Sequence, residues 1–205
     1  MGKRIFGVVD GCPETHAAEP AGTLYQALLG TAYADLPAEV QKLHGETGTR
    51  VWQGEAEVTG GATILHRLIA RILGFPTRSG TTPLAVHFNA KGPRETWTRD
   101  FDGEVMVTHQ SRGTGRDAHL LVERFGKLTV SLALVVEGDR LRLAPRHWRL
   151  MGLPMPRFLL PGGESYETGH DGRFRFHVDV RLPLLGRLVR YRGWLTRAAG
   201  DTLGP

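Results

Sequence analysis

The strongest constraint on the fold is a strict alternation of side chains near the C-terminus. Every second residue between 173 and 182 is apolar: Phe174, Phe176, Val178, Val180 and Leu182. The residues between them are charged or polar. Side chains in a β-strand point to opposite faces at period two, so this segment predicts a strand with one buried and one wet face. A turn at 183–186 then leads into a second predicted strand over 188–195.

The same alternation recurs along most of the chain after Thr82. It is clearest at 84–88 and at 130–136, and Asp102-Gly103 is a typical two-residue hairpin turn. No regular exchange of strands with helices occurs, which argues against a parallel sheet. We therefore predict an α+β fold, built on a strongly curved antiparallel β-sheet or barrel of eight to ten strands.

Two or three helices precede or interrupt the first strands. Thr23 caps a short first helix, and Pro37 marks the start of a second one. A third, over 62–73, has six apolar residues on one face: Ile64, Leu65, Leu68, Ile69, Ile72 and Leu73. His66, Arg67 and Arg71 lie opposite. We expect this helix to cover the sheet, and the alternative is a basic amphipathic helix lying on anionic lipid.

Length and composition favour one soluble domain. The 205 residues suit a single β-rich domain over 23–197, with a loose N-terminal arm at 1–22 and a flexible tail at 198–205. The lone Cys12 excludes an internal disulfide, and no apolar run approaches the length of a membrane span. These features predict a cytoplasmic protein. The net charge of +5 comes from arginines spread along the strands, which favours a solvated outer face over a nucleic-acid surface.

Motifs for cofactors, metals and nucleophilic catalysis do not emerge. The nine histidines have no paired ligand spacing, and Gly113-Thr114-Gly115 lacks the remainder of a phosphate-binding loop. We therefore expect no metal and no cofactor. If the chain is an enzyme, the candidate acids and bases are Glu123, His147 and His177. Glu123 would need a partner such as an arginine from another strand if it faced the interior.

The most unusual composition lies at 148–161, where three prolines interrupt a run of large apolar residues. Such a loop packs on the body of the domain, borders a pocket or touches a membrane. Candidate pocket residues, including two aromatics of the last strand, are Trp148, Met151, Met155, Phe158, Tyr191 and Trp194. Candidate membrane contacts are Arg67, Arg71 and Leu159.

Several short motifs resemble those of the bacterial domain-of-unknown-function family DUF4166. They are Leu36-Pro37 with Leu43-His44-Gly45, Glu123-Arg124-Phe125-Gly126, the run 148–154, and the run 181–195. Members of that family stand alone or are appended to NAD-binding, saccharopine-dehydrogenase-like proteins and to some membrane proteins. The resemblance implies an accessory or ligand-handling role and an NAD-binding, reductase-like partner. Because no Gly-rich dinucleotide fingerprint lies near Met1, we expect the stand-alone form, without dehydrogenase activity.

These observations lead to three hypotheses. The first is a binding module whose barrel holds a hydrophobic or amphiphilic small molecule. The second is an enzyme, or an accessory subunit of a reductase-like partner, that uses the same cavity. The third is a peripheral protein that makes weak contact with a membrane surface.

Overall fold

The computed structural model describes residues 22–199. Its helices are α1 (Leu24–Leu29), α2 (Ala38–His44) and α3 (Ile64–Ile72). Its strands are β1 (Gly48–Gly60), β2 (Gly80–Lys91), β3 (Arg94–Phe101), β4 (Glu104–Arg112), β5 (Leu121–Phe125), β6 (Leu128–Glu137), β7 (Arg140–Leu150), β8 (Leu153–Pro154), β9 (Ser165–His170), β10 (Arg173–Leu182) and β11 (Gly186–Arg197). Most of the expected N-terminal arm, with Cys12, and most of the expected tail lie outside the described residues.

Ten of these strands form a closed antiparallel barrel. Neighbours in sequence pair with one another, β7 pairs with β9, and the pairing of β1 with β11 completes the ring. The two-residue β8 adds to β7 outside the ring. The predicted α+β fold with a curved antiparallel sheet or barrel is confirmed.

The antiparallel order places successive connections at alternate ends of the barrel. One end, which we call the α3 end, carries α3 and the connections at 102–103, 126–127, 151–164 and 183–185. The opposite end receives α1 and α2, and we call it the plug end.

The N-terminal helices close the plug end with apolar side chains. A capping box between Thr23 and Gln26 starts α1, and Pro37 immediately precedes α2. Their inward residues Leu24, Val40 and Leu43 are almost completely buried. Burial of these side chains against the strands supplies the stability that such short helices lack in isolation.

Helix α3 contacts the barrel with only part of its apolar face. Ala70 is buried, Ile69 and Leu73 are half-buried, and His66 Nε2 lies 2.8 Å from the carbonyl oxygen of Leu185. Four large apolar residues of α3 instead face solvent: Ile64, Leu65, Leu68 and Ile72. The helix therefore packs on the barrel as expected, but with only part of its apolar face, because it is rotated with His66 and Ala70 toward the barrel.

The strand patterns predict the inward faces correctly. Phe174 and Phe176 of β10 are buried in the core, and Val178 lies opposite Tyr191 of β11. The Asp102-Gly103 turn has positive φ at both residues, as a primed hairpin turn requires.

Candidate functional site

The barrel interior holds a cavity of about 130 Å³. Its walls are largely aliphatic and aromatic: Leu84, Val86, Val130, Leu132, Leu143, Phe174, Phe176, Val178 and Leu195. The lining also includes Phe75, which follows α3, and residues 161–163 of the β7–β9 connection. The cavity therefore extends to the α3 end of the barrel.

Polar side chains from three adjacent strands converge on one wall of this cavity. Arg99 of β3 donates from Nη1 to Thr108 Oγ1 at 2.9 Å, and its Nη2 lies 3.7 Å from Glu123 Oε1. Gln110 of β4 donates from Nε2 to Glu123 Oε1 at 3.1 Å. These residues occupy inward positions of β3, β4 and β5, so the sheet register itself brings a guanidinium, an amide and a carboxylate together.

The polar wall is connected to the plug helices. The Tyr25 hydroxyl donates to Gln110 Oε1 at 3.1 Å, and its ring stacks on His44 with centroids 3.5 Å apart. His44 Nε2 lies 2.6 Å from Glu167 Oε2, and Glu167 also lines the cavity. Burial, followed by the nearby carboxylates, raises the pKa of Tyr25 well above its usual value, so this hydroxyl remains a donor.

A second buried group supports this wall from the plug side. Trp97 Nε1 donates to Glu95 Oε2 at 3.0 Å, and Arg50 Nη2 lies 3.9 Å from the same oxygen. Arg50 also donates to the carbonyl oxygen of Leu43 and lies over the ring of Phe88. Burial lowers the pKa of Arg50, although Glu95 opposes this effect. Trp97 is thereby fixed as a wall of the cavity, with Arg99 stacked on its ring.

The charges inside the barrel do not favour an additional anion. Four carboxylates of residues 22–199 are buried. Those of Glu95, Glu123 and Glu167 share the interior with the guanidinium groups of Arg50 and Arg99, whereas that of Asp179 accepts from Arg181 and Arg187. The carboxylates of Glu95, Glu123 and Glu167 and the two guanidinium groups sum formally to −1. The single cation on the cavity wall, Arg99, is already paired with Glu123. Among the described residues that line the cavity, the carboxylates of Glu123, Glu167 and Asp179 outnumber the guanidinium of Arg99, so they would oppose a ligand anion.

Tyr191 adds a further polar group to the cavity. It is 5% exposed, and its ring packs against Phe101 and Phe176. Burial raises the pKa of its hydroxyl to about 12, so the group is a neutral donor at all physiological pH values. Within residues 22–199 its hydroxyl has no hydrogen-bond partner. A buried hydroxyl at a cavity surface is suited to a hydrogen bond with a bound molecule.

The pocket residues expected from sequence lie at several places. Tyr191 lines the cavity, whereas Trp148 packs on the core at the α3 end, with Nε1 donating to the carbonyl oxygen of Pro156. Met155 is half-buried, and Met151 and Phe158 are exposed at the α3 end. Trp194 lies on the outer face, where Arg173 stacks on it. The structure does not bring these six together around one pocket.

Two of the three candidate acids and bases, Glu123 and His177, line the cavity, and the third, His147, does not. Glu123 faces the interior, with Arg99 of another strand as its partner. His147 lies on the outer side, with Nε2 3.0 Å from Asp117 Oδ2. His177 stacks on Tyr166 at the outward position beside Phe176, and burial lowers its pKa. Glu123 and His177 both belong to the lining of the barrel cavity, Glu123 from an inward position of β5 and His177 from β10, whereas His147 does not.

Of the candidate membrane contacts, Arg67 and Arg71 are exposed on α3, and Leu159 is half-buried in a short turn at 157–159. Among residues 22–199, no helix is long and apolar enough to cross a membrane. The same residues contain no group of three metal-ligating side chains.

Sequence reasoning did not identify three of the polar residues that line the cavity, namely Arg99, Gln110 and Glu167. A signal was present, because Glu95 and Arg99 share the parity of Trp97 and Phe101 in β3, and Gln110 shares that of Met106 in β4. Charged residues in phase with buried aromatics indicate a polar interior. The interpretation of the arginines as a solvated outer face holds for most of them but is wrong for Arg50 and Arg99.

Comparison with known proteins gives a family and one distant structure. A family model described as "Domain of unknown function (DUF4166)" matches residues 36–195. A search of curated proteins finds no match. The crystal structure of Rv2717c from M. tuberculosis is 14% identical, with a TM-score of 0.39, and the match covers 80% of this chain and 100% of that one.

Proposed function

The chain belongs to the DUF4166 family, and we propose that it is a binding module for an amphiphilic small molecule held in the barrel cavity. One observation carries the proposal: an apolar cavity has a cluster of hydrogen-bonding groups on one wall, formed by Arg99, Gln110 and Glu123, and Tyr191 of β11 also lines it. Small-molecule sites typically combine apolar walls with a few placed polar groups.

The cavity volume limits the part of the ligand that is enclosed. At about 130 Å³ it is close to the cavities of about 150 Å³ that hold a benzene-sized molecule. A longer apolar chain would extend toward the α3 end, past Phe75 and residues 161–163. We infer a ligand with a compact or slender apolar body.

The polar wall favours an uncharged head group. The hydroxyl of Tyr191 can donate, while the carboxylates of Glu123 and Glu167 can only accept. A hydroxyl or amide can donate to a carboxylate and accept from Tyr191 or Arg99. A carboxylate head group would instead be repelled by Glu123 and Glu167. We therefore infer an alcohol or amide in preference to a fatty acid.

The direct test begins with the protein as purified. Native mass spectrometry followed by organic extraction should detect a bound neutral amphiphile. Separately, displacement of the uncharged dye Nile red should rank an alkyl alcohol and an alkyl amide above the alkyl carboxylate of equal chain length. Equal displacement by all three would contradict the head-group inference.

A cavity-filling variant separates binding inside the barrel from binding on its surface. Val130 lines the cavity, so Val130→Phe should abolish Nile red binding. Val107→Phe is the matched control, because Val107 is an exposed valine on the outer face of β4. Binding that survives Val130→Phe, or the absence of any binding to the parent protein, would overturn the proposal.

A further inference from the structure

Helix α3 presents an apolar stripe that nothing in the described structure covers. Ile64 is 78% exposed, and Leu65, Leu68 and Ile72 are each more than half exposed. At 3.6 residues per turn these four share one side of the helix. Exposed aliphatic residues that are contiguous on one surface, and not scattered singly, mark an interaction site.

Other connections at the α3 end expose large apolar residues as well. Leu184, in the β10–β11 turn, is 97% exposed and adjoins Leu185, whose carbonyl oxygen contacts His66 of α3. The β7–β9 connection exposes Met151, Leu153 and Phe158. We define the apolar rim as eight exposed residues: Ile64, Leu65, Leu68, Ile72, Met151, Leu153, Phe158 and Leu184. The rim lies at the end of the barrel that the cavity reaches.

The charges beside the apolar rim are positive. Residues 58–94 and 140–163 contain no aspartate or glutamate. Arg67 and Arg71 flank the apolar stripe on α3. Arg149 and Arg157 border the exposed residues of the β7–β9 connection. Two carboxylates at this end already have hydrogen-bond donors. Glu104 accepts hydrogen bonds from the Thr77 hydroxyl and the Arg78 amide. Asp179 accepts hydrogen bonds from the guanidinium groups of Arg181 and Arg187. Asp100, Asp102 and Glu164 are further acids at this end.

We propose that the α3 end docks on the surface of an anionic phospholipid bilayer, with α3 lying in the interface. An apolar stripe flanked by arginines on a short helix is typical of interfacial binding, and basic residues near the surface add attraction to anionic lipid. A helix of nine residues binds weakly alone, so the β7–β9 and β10–β11 connections supply the remaining contacts. The proposal goes beyond the cavity function and does not depend on it.

The cavity extends to the same end of the barrel that would face the bilayer. Because the cavity extends toward the rim, an amphiphile can pass between the bilayer and the barrel without crossing bulk water. A protein partner would not require the exposed residues to lie at the end that the cavity reaches, nor would it favour basic residues beside both α3 and the β7–β9 connection.

Co-sedimentation with vesicles tests the proposal. We expect the full chain to bind phosphatidylcholine vesicles containing phosphatidylglycerol, to bind pure phosphatidylcholine vesicles less, and to dissociate at high salt. The triple substitution Ile64→Ser, Leu68→Ser and Ile72→Ser should lower the partition coefficient by at least about tenfold, because it removes most of the stripe's apolar area. Arg67→Glu with Arg71→Glu should remove the preference for the anionic vesicles.

Matched variants report on the location of the contact. Val105→Ser with Val107→Ser removes exposed apolar area from the outer face of β4, and Lys91→Glu with Arg94→Glu makes the same charge change at the plug end. Both should retain vesicle binding, as should Val130→Phe, whose cavity is filled. Retained binding by Val130→Phe separates docking from ligand uptake.

Three results would overturn the proposal. The first is no binding to anionic vesicles at low salt. The second is an equal loss in the plug-end and α3-end variants. The third is self-association of the parent chain without vesicles, abolished by the triple serine variant, because that result would assign the rim to a second copy of the chain.

Discussion

His44 Nε2 lies 2.6 Å from Glu167 Oε2 inside the closed barrel. The contact joins α2, at the plug end, to β9, and the ring of Tyr25 from α1 stacks on the same imidazole. His44 is fully buried, so water cannot replace a lost partner. The plug is therefore held by a directional polar contact at its centre as well as by the aliphatic residues around it.

We predict that Glu167→Leu lowers the free energy of unfolding by about 2–4 kcal/mol, because it leaves His44 Nε2 buried without its hydrogen-bond partner. The double variant His44→Phe, Glu167→Leu should cost less than the sum of the two single variants. Urea unfolding monitored by tryptophan fluorescence measures all three. As a control, Glu137→Leu breaks an exposed pair with Arg142 and should lower stability far less than Glu167→Leu does. Additive costs for His44 and Glu167 would show that the contact contributes no coupling.

The barrel is largely predictable from sequence because period-two patterns are local. The alternation at 174–182 and the Asp102-Gly103 turn each follow from a few adjacent residues, and both are confirmed. Closure of the ring is not local. It depends on the pairing of β1 with β11, whose partners are separated by most of the chain, and no periodicity specifies it.

The polar wall and the orientation of α3 could not be predicted in the same way. Glu123 required an arginine partner if it faced inward, but only the register of β3, β4 and β5 identifies Arg99 as that partner. The apolar periodicity of α3 gives a wide face without indicating which part meets the barrel. In the observed rotation, His66, which takes part in the capping box of α3, contacts the carbonyl oxygen of Leu185, and Ala70 is buried.

Two buried tyrosines provide a second prediction, on ligand binding. The hydroxyl of Tyr191 has no described partner, so Tyr191→Phe should change the free energy of unfolding by less than about 1 kcal/mol. If that hydroxyl contacts the ligand's head group, affinity should fall by about tenfold, the effect of one hydrogen bond. In contrast, Tyr25→Phe removes a hydrogen bond to Gln110 and should cost about 1–2 kcal/mol of stability. Calorimetry and urea unfolding on both variants check this pattern, and an unchanged affinity for Tyr191→Phe would place the head group elsewhere.

A third prediction concerns acid pH at the link between α3 and β2. Burial alone would raise the pKa of Glu104, but hydrogen bonds from Thr77 and Arg78 outweigh it and hold that pKa below the usual 4.5. A depressed folded-state pKa contributes stability that is present above about pH 4.5 and is lost as the pH falls through the folded value. Glu104→Gln should therefore be less stable than the parent at neutral pH, and the two thermal unfolding curves should converge in acid. A constant difference across this range would contradict the assignment.

The final prediction concerns the edge of the cavity at residues 162–164. Gly162 and Arg181 exchange backbone hydrogen bonds of 2.8 Å, and the amide of Asp179 donates to the carbonyl oxygen of Glu164 at 2.9 Å. Between them, Gly163 has a φ of +110°, and a methyl group there would overlap the carbonyl group of Asp179. Gly163→Ala must therefore separate this segment from β10 or strain it, at a cost of about 2 kcal/mol or more.

Adjacent Gly162 is a matched control for that substitution. A methyl group at Gly162 meets no atom within 4 Å, and its φ is outside the left-handed region. Gly162→Ala should therefore leave stability within about 0.5 kcal/mol of the parent. Hydrogen exchange followed by mass spectrometry should show faster exchange at 160–165 in Gly163→Ala alone, and Nile red should dissociate faster because the cavity edge is loosened. Equal behaviour of the two alanine variants would show that this segment does not control access to the cavity.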